Sequence, residues 1–305
     1  MKITTHSNGI FDIKIAPGQD KFACALIDAP IQIYDIETGQ LQAEHVDANR
    51  DSAWSMEWFR HEEKDYLLAG YGTMGYVRII DANGTDKLAY TKKSTDIGYP
   101  NAAQLHSSSV WKIRVINNES CSVADDGTFS KLTLEFNTEK DSFIYTRKHE
   151  KRVAMNDQLH DFCPLNDTQF LIAGKYGILE TTKRFSRAYS GIYRGHTEKV
   201  ISVCKTSDTQ FVSAGWDNTI ILWNIGTYTP AQTVSLEEVA YNLIVADNKI
   251  FHTAGSAIII RNKETLEISE KIEVGETNLR CFDLSADKKT LVAGDTAGNI
   301  YLKKL

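Results

Sequence analysis

Between Gly195 and Asn224 the chain reads GHTEKVISVCKTSDTQFVSAGWDNTIILWN. Three apolar runs stand in this stretch: Val200–Lys205, Gln210–Ala214, and one ending Leu222-Trp223-Asn224. Two turn clusters separate them, Thr206-Ser207-Asp208 and Gly215-Trp216-Asp217-Asn218. Short runs rich in Val, Ile, Phe and Trp, bounded by Gly, Asp, Asn and Ser, read as strands. Strands joined this tightly form one sheet, and a sheet with uncovered edges is a liability. The stretch therefore needs further copies of itself, or other structure, beside it.

The copies are present. The second run of each unit ends in a small-residue rung: Ala25-Leu26, Ala69-Gly70, Ala124-Asp125, Ala173-Gly174, Ala214-Gly215, Ala254-Gly255 and Ala293-Gly294. The rungs are spaced by 39 to 55 residues. A period of about 40–45 residues with four strands per unit is that of a propeller blade, and longer intervals accommodate loop insertions. Seven rungs predict seven blades. The seventh, from Asn278 to Leu305, supplies only three strands, and Lys2–Thr5 at the other end of the chain is the candidate for its fourth. Closing the ring in this way protects the last open edge.

The residues of the fifth unit resemble a WD40 repeat. They are the pair Gly195-His196, the turn Ser213-Ala214-Gly215-Trp216-Asp217, and Trp223 six residues after Asp217; Asn224 stands where the family's terminal Asp is expected. The resemblance implies a single all-β, seven-bladed WD40-type β-propeller over residues 1–305, its N-terminal strand completing the last blade. It also implies a buried network in which His196 bonds Asp217 while Ser213 and the Trp223 N–H complete the chain. Buried polar groups need partners, so such a network fixes one arrangement of the blade. His6, His106 and His196 fall in register four residues before Ile10, Val110 and Val200. Blade one carries Asp28 and Tyr34 at the Asp and Trp positions, and blade three carries Asp126-Gly127. The other units are degenerate. Met74 replaces the Asp in blade two, Lys175-Tyr176-Gly177 forms the turn of blade four, and blade six has almost no network of this kind. Ser94–Gln104 reads as an insertion ahead of blade three.

Composition adds limits. Of 305 residues 42% are hydrophobic and 24% charged, ordinary for a globular chain with a sizeable core. The longest apolar runs, such as Ala257–Ile260, are too short to span a bilayer, and the N-terminus has no signal core. Cys24, Cys121, Cys163, Cys204 and Cys281 are isolated and odd in number, which points to reduced thiols in the cytoplasm or nucleus. The net charge of −6 and the acid-interrupted basic run Arg147–Arg152, with no interleaved aromatics, argue against nucleic acid as partner. No phosphate loop, metal-ligand spacing or nucleophile motif occurs, so no catalytic residue, metal or cofactor is expected. His45, His61, His149 and His252 have no partner at metal-ligand spacing.

One set of positions remains. The residue after the first apolar position of each blade reads Phe11, Trp54, Trp111, His160, Ile201, Tyr241 and Arg280. In the WD40 resemblance this position rims the narrow mouth of the central channel and commonly meets partners. Gln158 and Lys199, two residues before the equivalent position in blades four and five, and Trp216 before the turn Asp, extend the same surface. Trp, Tyr, Phe and Arg gathered at one mouth have the composition of a binding hot spot. The expectation is a non-catalytic interaction module, a subunit of a larger assembly, with a partner peptide or loop laid over these residues. Two alternatives stand: a propeller hydrolase of esters or lactones, for which the ring offers only His160, and a reader of a modified basic side chain through aromatic faces.

Overall fold

Seven consecutive segments of the chain each fold into a four-stranded sheet. The computed structural model describes residues 1–5, 7–47, 50–88, 102–152, 158–175, 177–181 and 189–305. His6, Tyr176, most of the Ser94–Gln104 insertion and the side chains of Arg147–Arg152 lie outside the described residues. Contacts divide the chain into two compact units, residues 1–150 with 282–305, and residues 151–281.

In the first unit, blade one comprises β2 (Ile10–Ile15), β3 (Lys21–Leu26), β4 (Ile31–Asp35) and β5 (Leu41–His45). Blade two comprises β6 (Ala53–His61), β7 (Lys64–Tyr71), β8 (Tyr76–Asp81) and β9 (Ala103–Gln104). Blade three comprises β10 (Val110–Ile116), β11 (Glu119–Ala124), β12 (Thr128–Asn137) and β13 (Ser142–Arg152). The last blade holds β26 (Leu279–Leu284), whose first residues fall in the second unit, β27 (Thr290–Asp295) and β28 (Asn299–Lys304). Its fourth strand is β1 (Lys2–Thr4), paired antiparallel with β28 through Lys2↔Tyr301, Ile3↔Ile300 and Thr4↔Asn299. The termini share one blade, and Thr5 adds its N–H and hydroxyl to the Gly298 carbonyl at 2.9 and 2.7 Å.

The second unit holds three blades. Blade four is β14 (Leu159–Pro164), β15 (Phe170–Gly174), β16 (Gly177–Thr181) and β17 (Tyr189–Tyr193). Blade five is β18 (Val200–Lys205), β19 (Gln210–Gly215), β20 (Thr219–Asn224) and β21 (Pro230–Ser235). Blade six is β22 (Leu243–Ala246), β23 (Lys249–Ala254), β24 (Ala257–Asn262) and β25 (Ile268–Glu273). The fold is the all-β, seven-bladed propeller that the repeat predicted.

One boundary differs from expectation. Ala103–Gln104, assigned by sequence to an insertion, pairs with β8 as the outer strand of blade two. Two residues carry too little periodicity to reveal a strand, and pairing with Tyr76 and Val77 supplies it.

The polar network of blade five is as the resemblance implied. His196 Nδ1 lies 3.0 Å from Asp217, Ser213 Oγ lies 2.8 Å from His196 Nε2, and Trp223 Nε1–H donates to Ser213 Oγ at 2.8 Å. Blade three repeats it without the tryptophan: His106 bonds Ser122 at 2.7 Å and Thr128 at 2.6 Å, and Thr128 donates to Asp126 at 2.6 Å. The degenerate blades are not bare. Arg78 pairs with Asp47 and Asp86 in blade two, and Tyr193 donates to Glu180 at 2.7 Å in blade four. Arg261 Nε–H donates to His252 at 3.0 Å in blade six, where the sequence predicted almost no network. In blade seven fully buried Asp295 accepts from Asn299 and Tyr301. Blades two to seven thus each hold a buried polar contact, built from different residues.

A second device joins neighbouring blades. Asp12 accepts from its own neighbour Ile13 N–H and from Met56 N–H in blade two, at 3.0 and 2.8 Å. Asp283 serves Leu284 and Ile15 in the same way, and in the second unit Asp161 serves Phe162 and Val203. A carboxylate that accepts two backbone donors ties the first strands of adjacent blades.

Candidate partner-binding site

Five of the predicted surface residues share one backbone feature. In β2, β6, β10, β14 and β18 the pairing slips by one residue directly after the first strand position. The residues skipped are Phe11, Trp54, Trp111, His160 and Ile201, so all five sit in β-bulges. A bulge frees one residue from the ladder and re-aims its side chain. Strand alternation alone would not place them this way.

In the first unit the structure brings three of these together. Phe11 and Trp54 stack with ring centroids 4.7 Å apart and planes at 19°, and Trp111 meets Trp54 edge-on at 4.6 Å. All three are partly buried. Trp111 Nε1–H donates to Asp125 Oδ1 at 2.6 Å, which holds that ring upright. Trp54 Nε1 has no acceptor among the described residues. The backbone makes room for Trp54: a Cβ on Gly72 would collide with its Nε1, so this position needs glycine. Gly70 plays a similar part for Val110, whose Cγ1 would stand 2.6 Å from an added Cβ. Such stacks gain about 0.5–1.5 kcal/mol beyond the area they bury.

In the second unit, Trp216 is 51% exposed, with the Lys199 ammonium 5.3 Å from its ring centroid. Lys199 also donates to Gln158 Oε1 at 2.9 Å, and the Trp216 N–H donates to the Lys199 carbonyl. These three predicted residues form one contact set. Ile201 is partly buried near it in sequence. His160 is not part of the surface: it is only 7% exposed, and burial, with Lys199 nearby, pushes its imidazole down to about 4. The ring at this position is buried and neutral at pH 7. Tyr241 is 38% exposed, its N–H held by Thr253 Oγ1 at 2.8 Å. Burial lowers the pKa of Arg280, which is partly exposed and feels the Tyr241 phenol.

Sequence reasoning missed residues that shape this surface. Gly72 carried no signal because its purpose is spatial, and that Asp125 anchors Trp111 follows only from the geometry. The charged group Lys14, Glu57, Arg114 and Asp283 also went unremarked. The four lie four residues after the first strand position of blades one, two, three and seven, in mutual electrostatic contact. That register (10→14, 53→57, 110→114, 279→283) is visible in the sequence as a charged residue at the same place in four first strands. Among the described residues no group of His, Cys, Asp and Glu is arranged to hold a metal ion.

Comparison with known proteins agrees with this geometry. The family model for the WD domain, G-beta repeat, matches residues 188–224, which include the networked core of blade five. No curated protein matches the chain in sequence. Among solved structures, the WD40 beta propeller domain of Doa1 is similar with a TM-score of 0.77 at 15% identity, covering 99% of this chain and 94% of that one. At that identity the likeness concerns fold alone. This chain carries a WD40 repeat within the fold of a seven-bladed WD40-type β-propeller.

Proposed function

We propose that the chain is a non-catalytic interaction module, a subunit of a larger protein assembly in the cytoplasm or nucleus. A peptide or loop of the partner lies against the bulge-borne aromatics Phe11, Trp54 and Trp111. Propellers of this type typically serve as interaction modules, and the observation that carries the reading here is the Trp54 environment. A partly exposed tryptophan, stacked on one ring and edge-packed by another, keeps an indole donor with no acceptor among the described residues. Rigid aromatic anchors with an unused polar handle are what interface hot spots are made of. In the second unit Trp216, with Lys199 against its face, Tyr241 and Arg280 have the same composition. The five free thiols suit a reducing compartment.

Affinity purification of tagged protein, followed by the same purification of Trp54→Ala and Trp111→Ala, tests this. Hot-spot truncation commonly costs about 2 kcal/mol or more of binding, so the stoichiometric partner should be lost while the variants stay folded. A partner retained at unchanged affinity by the double variant would move the site elsewhere. Unfolding of the variants would make the stack mere packing.

A further inference from the structure

Beside the aromatic stack lies a pocket of 280 Å³ in the first unit, lined by residues of the β3–β4 turn, the end of β5, the β5–β6 segment and the end of β7. That volume falls just under the range of sites for drug-sized ligands, about 300–1,000 Å³. It suits a single long side chain. Its polar lining is Asp28, Asp47 and Asp51 against one cation, Arg50. Pro30, Ile31, Val46 and Ala53 supply apolar wall, and Val46 is 65% exposed at the pocket.

Two buried atoms in this lining want a partner. His45 is 5% exposed; its Nδ1–H donates to the Gly84 carbonyl at 2.9 Å, which leaves a lone pair on Nε2. Among the described residues Nε2 has no hydrogen-bond partner, and the nearest acidic oxygen, Asp86 Oδ1, stands 3.9 Å away. Tyr71 is 1% exposed, and its hydroxyl likewise has no partner among the described residues. An orphaned buried polar group is costly; the His45 Nε2 lone pair favours a ligand that donates, and the Tyr71 hydroxyl, which both donates and accepts, can take such a donor on its oxygen. The fixed charges agree. Arg78 already serves Asp47 and Asp86, while Asp51 accepts from Thr73, and the exposed Asp28 carboxylate adds to the field. A bare metal ion does not fit, because no group of the described residues converges for one.

We propose that this pocket receives a basic side chain, lysine or arginine, of a partner polypeptide. The ammonium or guanidinium donates to His45 Nε2 and the Tyr71 oxygen in the field of the aspartates. Its methylene stem lies along Pro30, Ile31 and Val46, as long cationic side chains cover apolar surface while their heads stay polar. The inference rests on the reading of this face as the partner-binding one. Ala53 and Tyr71 of the pocket directly precede Trp54 and Gly72 of the stack, so one peptide reaches both.

The test uses capped amino acids on the whole chain, read by the methyl resonances of Ile31 and Val46. Capped arginine or capped lysine should shift these methyls saturably, while capped citrulline, its neutral isostere, should bind about tenfold or more weakly. Asp28→Asn combined with Tyr71→Phe should weaken the cationic probes to the citrulline level. Tyr71→Phe alone should leave the melting temperature unchanged or raised, since no hydrogen bond is lost. Equal binding of citrulline, or no saturable shift with either cation, overturns the proposal. Trp54→Ala separates the two readings: it should abolish partner capture yet leave capped-arginine binding intact. Capture lost with no pocket binding sinks this inference alone, and pocket binding with capture untouched sinks the aromatic site.

Discussion

Ser213→Ala is the sharpest probe of what holds blade five together. The change deletes one oxygen from a fully buried residue, so the cavity is small. That oxygen has two clients. Trp223 Nε1–H donates to it at 2.8 Å, and its own hydroxyl reaches His196 Nε2 at 2.8 Å. Burial lowers the His196 pKa more than Asp217 raises it, so the ring is neutral and Nε2 needs a donor. Trp223 is 0% exposed and the His196 side chain 1%, so water cannot replace the serine. Two orphaned groups at about 1–3 kcal/mol each give a loss of about 2–6 kcal/mol. Ser122→Ala in blade three is the internal control, because only His106 Nε2 loses a partner there and the cost should be about half. Urea titration at unchanged m-value reads both. A Ser213→Ala loss within about 0.5 kcal/mol of wild type, the range of neutral surface changes, or one no larger than Ser122→Ala, would refute the relay.

Asp217→Ala should cost more than Asp287→Ala, because Asp217 accepts from His196, Thr197 and Thr219, whereas Asp287 is exposed in a turn; equal denaturant midpoints would contradict this. Removing residues 1–5 should bare the β28 edge and lower the melting temperature by several degrees or cause aggregation, and a stable monomer would disprove the closure. Acid should destabilise in a defined window. His160 and His252 are both pushed down by burial to about 4, so their contribution is complete above their unfolded value near 6.5 and is lost as pH falls through 4. Each is worth up to about 3 kcal/mol by linkage, and His252→Gln should flatten the stability profile over that range. Gly72→Ala should displace Trp54 and change tryptophan fluorescence, with little effect on Trp111, whose indole is tied to Asp125.

The repeat, the blade count, the terminal closure and the blade-five network could all be read from the chain. They rest on local signals: strand-length apolar runs, Gly- and Asp-marked turns, and a fixed spacing of His, Ser, Asp and Trp. The degenerate blades were legible only as departures. That Arg78, Glu180, His252 with Arg261, and Asp295 replace the lost network follows from which side chains meet in space, and they share no spacing. The outer strand Ala103–Gln104 was hidden because pairing, rather than its own pattern, makes it a strand. Phe11, Trp54 and Trp111 could be singled out from the sequence, and the tertiary structure decided how their rings stand. A bulge in each first strand turns these residues out of the ladder, and Gly72 leaves space for one ring while Asp125 fixes another. The same bulge carries His160, yet there the surrounding chain closes over the ring and holds it neutral. Position along a strand is written in the sequence; exposure depends on how neighbouring blades pack, which no single repeat encodes.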